Sequence, residues 1–317
     1  MQFINTLEEN VSLRGECYLC QDKQGMITKN GKPYLKLVLA DKTGAMNAMI
    51  WNVDNRVQAF EKNDVVAIDG TVTSYMGEKQ FSVTTIRKAL ENEYDPSNYY
   101  RCAEESPESL YGRIRVAVAS VANPYLRQLL ECFFPASGAQ KEAFLMQPAA
   151  KGFHHNYRAG LAEHTVSVLN IAQSLFRQYP TANSDLVTAG ALLHDIGKMK
   201  ELSPAPACDY TDAGRLAGHI AMGAIMINAE AAQISGFPEE TLLQLTHVIL
   251  SHHGSLEFVS PVLPATVEAM IVHLADDADA KLKELKDGVE LDREEGSWTA
   301  FNKALQRYLY KPEKKNE

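Results

Sequence analysis

The period of the sequence changes near residue 90, and that change restricts the chain to two differently built parts. Before it, short runs rich in Val, Ile, Leu, Thr and aromatic residues occupy 14–21, 34–40, 45–51, 65–74 and 79–86. Turn-forming clusters separate them: Lys29-Asn30-Gly31-Lys32-Pro33, Asp41-Lys42-Thr43-Gly44 and Met76-Gly77-Glu78. Runs of this length between such breakers read as strands. After it, apolar residues recur at helical spacing over 108–121, 124–134, 161–178, 184–196, 214–234, 239–251, 265–285 and 299–308. Ser106 before Pro107 and Asn183 before Ser184 stand as caps. The stretch between the two parts is polar and proline-punctuated. We therefore expect a strand domain over 1–92, a linker over 93–107, an all-α domain over 108–310 and a charged tail over 311–317.

Five short strands with a helix after the third, here placed at 53–61, is the layout of an oligonucleotide-binding (OB) β-barrel. A length of 317 residues suits two domains. No apolar run reaches the ~18 residues of a membrane span, so no membrane is expected. The first residues lack a basic region followed by an apolar core, which makes the cytoplasm the expected compartment. The five cysteines are scattered and odd in number, which argues against a disulfide framework. Cys17 and Cys20 form a CxxC, but on a strand residues three apart point to opposite faces, which disfavours zinc. The net charge of −9 excludes a generally basic nucleic-acid binder. It is unevenly spread, however. Residues 10–90 hold eleven Lys/Arg and eight Asp/Glu, a balance of +3, which leaves −12 for the rest.

All nine histidines fall between positions 154 and 273. His194 and Asp195 are adjacent at the end of an apolar run, in Leu192-Leu193-His194-Asp195-Ile196-Gly197-Lys198. His164 lies inside an apolar helix, His219 opens another, and His252-His253-Gly254 closes a third. His273 and Asp276 are three apart, hence on one helix face, and Asp279 follows a turn later. A lone buried histidine is more often a hydrogen-bonded core residue than a ligand. The set is different, because imidazoles and carboxylates at apolar helix ends are costly to bury without a cation. Imidazole with carboxylate suits a divalent metal such as Mn, Fe, Co or Zn. Asp195 could bridge two ions, and a pair ~3.5–4 Å apart polarises a phosphodiester and acidifies a water. Lys198, one turn on, is placed to meet a phosphate oxygen. His247 and His273 suit structural roles equally well, as do His154 and His155 a surface loop.

The order His164, His194-Asp195, Asp276 resembles the signature of the HD phosphohydrolase superfamily, whose helical domain cleaves phosphomonoesters and phosphodiesters. The resemblance implies that His164, His194, Asp195 and Asp276 hold a metal. It also implies that His219, with His252 or His253, holds a second. The strand half, with Gly31-Lys32-Pro33-Tyr34-Leu35, Leu39-Ala40-Asp41-Lys42-Thr43-Gly44 and Trp51, is similar to OB domains of nucleic-acid enzymes. An OB barrel before an HD domain resembles the YhaM family of bacterial 3′→5′ exoribonucleases. That resemblance implies degradation of single-stranded RNA, and also of single-stranded DNA, to nucleoside 5′-monophosphates. The implied cofactor is one or two divalent ions, Mn²⁺ first, with Fe, Co or Mg as alternatives.

Barrels of this class stack bases on aromatics and line the backbone with cations. Lys32, Tyr34, Lys36, Trp51 and Lys79 are the candidates here, with Tyr75 and Arg87 beside them and Phe81 assigned to the core. In the helical half, His155 and Arg158 are candidate strand contacts. Two other readings stand: a phosphohydrolase of small nucleotides or cyclic dinucleotides with the barrel as sensor, and a non-enzymatic nucleic-acid-binding factor. A homo-oligomer is compatible with the sequence.

Overall fold

The computed structural model describes all residues except 1, 29, 76, 91, 96, 97, 100–102, 104, 152–156, 206, 207, 256–259, 291, 293 and 313–317. The chain divides into two compact units, Met1–Arg101 and Cys102–Glu317. The first holds five strands, β1 (Ser12–Ile27), β2 (Pro33–Asp41), β3 (Gly44–Ile50), β4 (Val65–Tyr75) and β5 (Glu78–Lys88). They close a barrel in the order β1-β2-β3-β5-β4. All pairings are antiparallel except β3 with β5, where Ala48 sits opposite Phe81.

The alternation seen in the sequence sets the two faces. Leu37, Leu39, Ala48, Ile50 and Phe81 fill the interior, while Tyr34, Lys36 and Trp51 lie outside. Cys20 belongs to this interior cluster. Cys17 belongs to a separate outer patch with Leu19, Val65 and Ala67, which Tyr99 covers. The expected helix over 53–61 does not form. Ile86 N–H donates to Arg56 O at 3.1 Å and Gln58 N–H donates to Ile86 O at 2.9 Å, tying this segment to β5 through a parallel Val57–Ile86 bridge. Nine residues are too few for a helix to hold by itself, and the barrel offers its backbone better partners.

The second unit is helical: α1 (Pro107–Ser120), α2 (Pro124–Phe133), α3 (Ala139–Leu145), α4 (Gly160–Gln178), α5 (Ser184–Leu193), α6 (Lys198–Glu201), α7 (Asp212–Ala231), α8 (Glu239–Ser251) and α9 (Val267–Glu290). The expected caps are present, with Ser106 Oγ accepting from Ser109 N–H and Asn183 Oδ1 accepting from Asp185 and Leu186 N–H. Leu126, Leu161, Leu193, Ile227, Val248 and Val272 belong to one core that all the larger helices share. The short helices α3 and α6 are additions to the sequence expectation. The helix expected over 299–308 is absent, and that segment forms a backbone-paired strap, with bridges Trp298–Tyr310 and Asn302–Arg307. Among the described residues no helix is long and apolar enough to cross a membrane.

Candidate metal centre of the helical unit

Five helices deliver histidines and aspartates to one buried point. α4 carries His164 on its buried face, among Leu161, Val168 and Ala172. α5 ends at His194, and the tight turn that follows supplies Asp195 before α6 begins at Lys198. Because the helix stops there, the neighbouring side chains His194 and Asp195 converge instead of diverging. α7 is kinked at Gly218, whose φ of 70° is open to glycine, and His219 opens the second half. His252 caps α8, with His253 next to it, and α9 brings Asp276 and Asp279 on one face. The approach of α6 to α7 depends on Gly197, where a Cβ would lie 1.9 Å from His219 O.

Asp195 stands at the middle and its two oxygens face different partners. Oδ2 lies 3.3 Å from His164 Nε2 and 3.4 Å from His194 Nε2. Oδ1 lies 3.3 Å from His219 Nε2 and 3.6 Å from His252 Nε2. Asp276 Oδ1 joins the first side, 3.2 Å from His164 Nε2. Two ligand groups result, His164-His194-Asp195 and Asp195-His219-His252-His253, each with its donor atoms within 4.8 Å of one another.

The far nitrogens of the rings are fixed from behind. His194 Nδ1 meets Ala191 O at 2.9 Å, His252 Nδ1 meets Ile249 O at 2.7 Å and His219 Nδ1 meets Glu201 Oε1 at 3.0 Å. His164 Nδ1 meets Asp279 Oδ2 at 2.7 Å, and Asp279 also accepts from the Ser167 hydroxyl. Carbonyls and carboxylates only accept, so each Nδ1 carries a hydrogen, and each ring, once neutral, turns an Nε2 lone pair inward. Asp195 Oδ1, His219 Nε2 and His252 Nε2 are buried without a hydrogen-bond partner among the described residues. Orphaned buried acceptors of this kind are rare in native proteins. Aimed at one point, they fit a divalent cation.

Charge follows the same pattern. Burial lowers the basicity of His164, but hydrogen bonds to Asp195, Asp276 and Asp279 outweigh it and raise its pKa well above the usual imidazole range. Burial works against ionised Asp195, yet Lys198 and the histidines hold its pKa well below the ordinary value. Asp276 is likewise held low by His164 and His194 against its burial. His252 is pushed down to about 4, by burial first. Lys198 Nζ pairs with Asp195 Oδ2 at 2.6 Å, and despite burial its pKa is raised by that carboxylate.

Of the other residues singled out in the sequence, His247 Nε2 accepts from Ala265 N–H at 2.9 Å and His273 Nδ1 donates to His252 O at 2.8 Å. Both brace the loop and helix around the centre. His154 and His155 lie outside the described residues. Arg158 is half-buried, with an Nε that has no hydrogen-bond partner among the described residues. On the barrel, Tyr34 and Trp51 stack with ring centroids 5.2 Å apart. Lys36 on β2 and Lys32 just before it are exposed. Tyr75 is exposed, Phe81 is in the core, and Arg87 pairs with Glu93 at 2.6 Å. Lys79 Nζ is engaged, donating to Leu7 O at 2.7 Å. Sequence reading noted Asp279 a turn after Asp276 without giving it a role, and passed over Glu201 and Ser167. The available signal was spacing, because Ser167 lies three residues after His164 and Asp279 three after Asp276, on the same helix faces.

A closed five-stranded barrel followed by a helical His/Asp centre defines an OB-fold unit joined to an HD-type phosphohydrolase unit. Family models agree, with an HD domain matching residues 161–281 and an OB-fold nucleic acid binding domain matching residues 11–89. The chain is 37% identical over 269 residues to the 3′-5′ exoribonuclease YhaM of Shouchella clausii (strain KSM-K16), spanning 83% of this chain and 82% of that protein. It is 34% identical over 300 residues to the YhaM of Halalkalibacterium halodurans, spanning 93% and 92%. It is 35% identical over 291 residues to that of Geobacillus sp. (strain WCH70), spanning 90% and 88%. The chain belongs to the YhaM 3′-5′ exoribonuclease family.

Proposed function

We propose that the protein is a metal-dependent 3′→5′ exoribonuclease that shortens single-stranded RNA, and single-stranded DNA as a second substrate, to nucleoside 5′-monophosphates. The observation that carries the reading is Asp195, a buried carboxylate whose two oxygens face two separate sets of imidazole nitrogens. His164, His194, Asp195 and Asp276 would hold one divalent ion. His219 and His252, with His253 beside them, would hold a second through the other oxygen of Asp195. Manganese is the ion that the family resemblance implies, and a mixed nitrogen–oxygen set without thiolate is compatible with it. When bound, such ions polarise a phosphodiester and acidify a water.

The chain's own residues do the rest. Asp279, Glu201 and the two backbone carbonyls keep the rings oriented. Lys198 keeps a fixed positive charge beside Asp195, where a phosphate oxygen can be drawn in. The apolar walls of α4, α5 and α9 exclude bulk water, which strengthens every charge interaction inside. In the barrel unit the stacked Tyr34–Trp51 pair offers ring surface to bases, each stacked base contributing ~1–3 kcal/mol. Lys32 and Lys36 supply charge to the backbone.

The test is a time course on 5′-labelled single-stranded RNA with Mn²⁺, run beside Asp195→Ala. A ladder shortening from the 3′ end, absent in the variant, is expected. Intact RNA with the wild-type protein would overturn the reading and direct the search to small nucleotides.

A further inference from the structure

The strap formed by residues 297–311 takes no part in the metal centre. Residues 297–312 contain Lys303, Arg307 and Lys311 and no carboxylate, inside a chain of net charge −9. They also carry four large aromatics that remain in solvent: Trp298 at 57% exposure, Phe301 at 45%, Tyr308 at 61% and Tyr310 at 56%. Single exposed aromatics are ordinary, but four within thirteen consecutive positions are not.

The strap is a built structure. Thr299 N–H donates to Leu309 O at 2.9 Å, Asn302 N–H to Arg307 O at 2.8 Å and Lys311 N–H to Ser297 O at 2.8 Å. Lys311 Nζ and Ala300 N–H both bind the Asp292 carboxylate, at 2.7 and 2.9 Å. Leu309 is buried beside Gly288 of α9, where a Cβ would come within 2.7 Å of the leucine Cδ1. Asn302 Nδ2 donates to Glu284 at 2.9 Å.

This scaffold holds the aromatics in two edge-to-face pairs. Trp298 and Tyr310 have centroids 5.4 Å apart, and Phe301 and Tyr308 5.3 Å apart. An edge-to-face pair leaves ring faces uncovered. Lys303 and Arg307 have no ion-pair partner among the described residues and are exposed between the pairs in sequence.

We propose that this strap is a second binding surface for single-stranded RNA, carried by the catalytic unit itself. Uncovered ring faces next to unpaired cations are the composition of sequence-tolerant single-strand platforms. The occupant is fixed by charge. The strap's own side chains include Lys303 and Arg307 and no carboxylate, while Asp292 beneath it is paired with Lys311 and Glu284 takes a hydrogen bond from Asn302; the cations complement a polyanion, and the rings complement bases. The anchors Glu284 and Gly288 lie eight and twelve residues past Asp276 on one helix, ~12 and ~18 Å along its axis. At ~3.4 Å per stacked nucleotide, a strand bridges that distance in roughly four to five nucleotides. The strap would hold the strand while its end is in the metal centre. The proposal rests on the exoribonuclease reading.

The chain's two tryptophans, Trp51 and Trp298, separate the barrel from the strap. The experiment titrates full-length Trp51→Phe protein, loaded with Mn²⁺, with an oligouridylate of about ten nucleotides whose phosphorothioate linkages resist cleavage. Saturable quenching of Trp298 is expected. Trp298→Ala combined with Tyr308→Ala should weaken binding at least ~5-fold per ring removed. Lys303→Ala with Arg307→Ala, which removes two exposed charges and the Arg307 Nε bond to Leu305 O but no ring, should flatten the slope of log affinity against log salt by about 1.4. If Trp298 stays unquenched and the salt slope stays unchanged while wild-type protein degrades RNA, the strap proposal falls and the exoribonuclease reading stands. If the wild type neither binds nor degrades RNA, both fall. If Trp298 emission instead follows protein concentration, and a dimer seen by sedimentation disappears in the double aromatic variant, the surface is a self-interface and the proposal is overturned.

Discussion

Asp279 provides a sharp test of how the centre is organised, because it sits behind a ligand without facing the middle of the site. It is buried, accepts from His164 Nδ1 at 2.7 Å, and takes the Ser167 hydroxyl on its other oxygen. Two substitutions separate its roles. Asp279→Asn keeps an oxygen for the imidazole N–H but removes the charge that makes His164 electron-rich. Asp279→Ala removes both, and takes this partner from the buried His164 N–H and from the half-buried Ser167 hydroxyl. Losing a carboxylate behind a ligating histidine costs ~10–100-fold in metal affinity. We expect Asn near the lower figure and Ala near the upper. Ala should also lose ~1–3 kcal/mol of folding stability for each buried group left unsatisfied. Calorimetric Mn²⁺ titration and thermal melting of the same samples measure both quantities. If both variants bind the ion as tightly as the parent, Asp279 does not orient His164 and the tautomer argument fails.

Two further outcomes follow from the same geometry. Gly197→Ala places a methyl group 1.9 Å from His219 O and 2.7 Å from Gly223 N. Overpacking of this kind costs ~1–3 kcal/mol, so the melting point should drop by several degrees and nuclease activity should fall with the displaced His219; an unchanged melting curve would show that α6 can move aside freely. Metal affinity should rise with pH through the neutral range. The metal-free His164 keeps its proton up to a raised pKa, and an incoming ion must displace that proton. His252, pushed down to about 4, has none to give at neutral pH. Titrations in two buffers of different ionisation enthalpy should therefore reveal proton release that fades as the pH climbs past the His164 value, and a pH-independent affinity would refute the assignment.

The parts of the fold that were legible in the sequence are those fixed by local pattern. The five strands, the long helices and the caps at Ser106 and Asn183 follow from period and polarity. So does the gathering of His164, His194, Asp195 and Asp276, since each sits on the apolar face of its own helix or at its end. The two failed helices share one cause. Residues 53–61 and 299–308 have helix-compatible composition, but their backbone groups pair with distant or refolded partners, Ile86 in one case and the strap's own return arm in the other. Local pattern carries no trace of such pairings. Glu201 was equally hidden. It reaches His219 only because α6 folds back on α7, an approach that requires bare glycine at 197.

The balance of charge at the centre explains why so many ionisable groups are tolerated in an apolar core. Asp195, Asp276 and Asp279 together face one permanent cation, Lys198, and one proton, held on His164 above its ordinary range. Both positive groups crowd the His164 side of Asp195, where Lys198 and His164 approach Oδ2 at 2.6 and 3.3 Å. The Oδ1 side has no comparable cation, and it is there that the buried acceptors of Asp195, His219 and His252 lack partners. An uncompensated buried carboxylate costs several kcal/mol, and no rearrangement of the neighbouring rings supplies a donor while their Nδ1 hydrogens are committed elsewhere. The deficit is therefore local and of one sign. A divalent ion between Asp195 Oδ1, His219 and His252 would remove it, and one on the Oδ2 side would take the place of the His164 proton. The arrangement that makes the metal-free site expensive to bury is the one that makes it selective for cations.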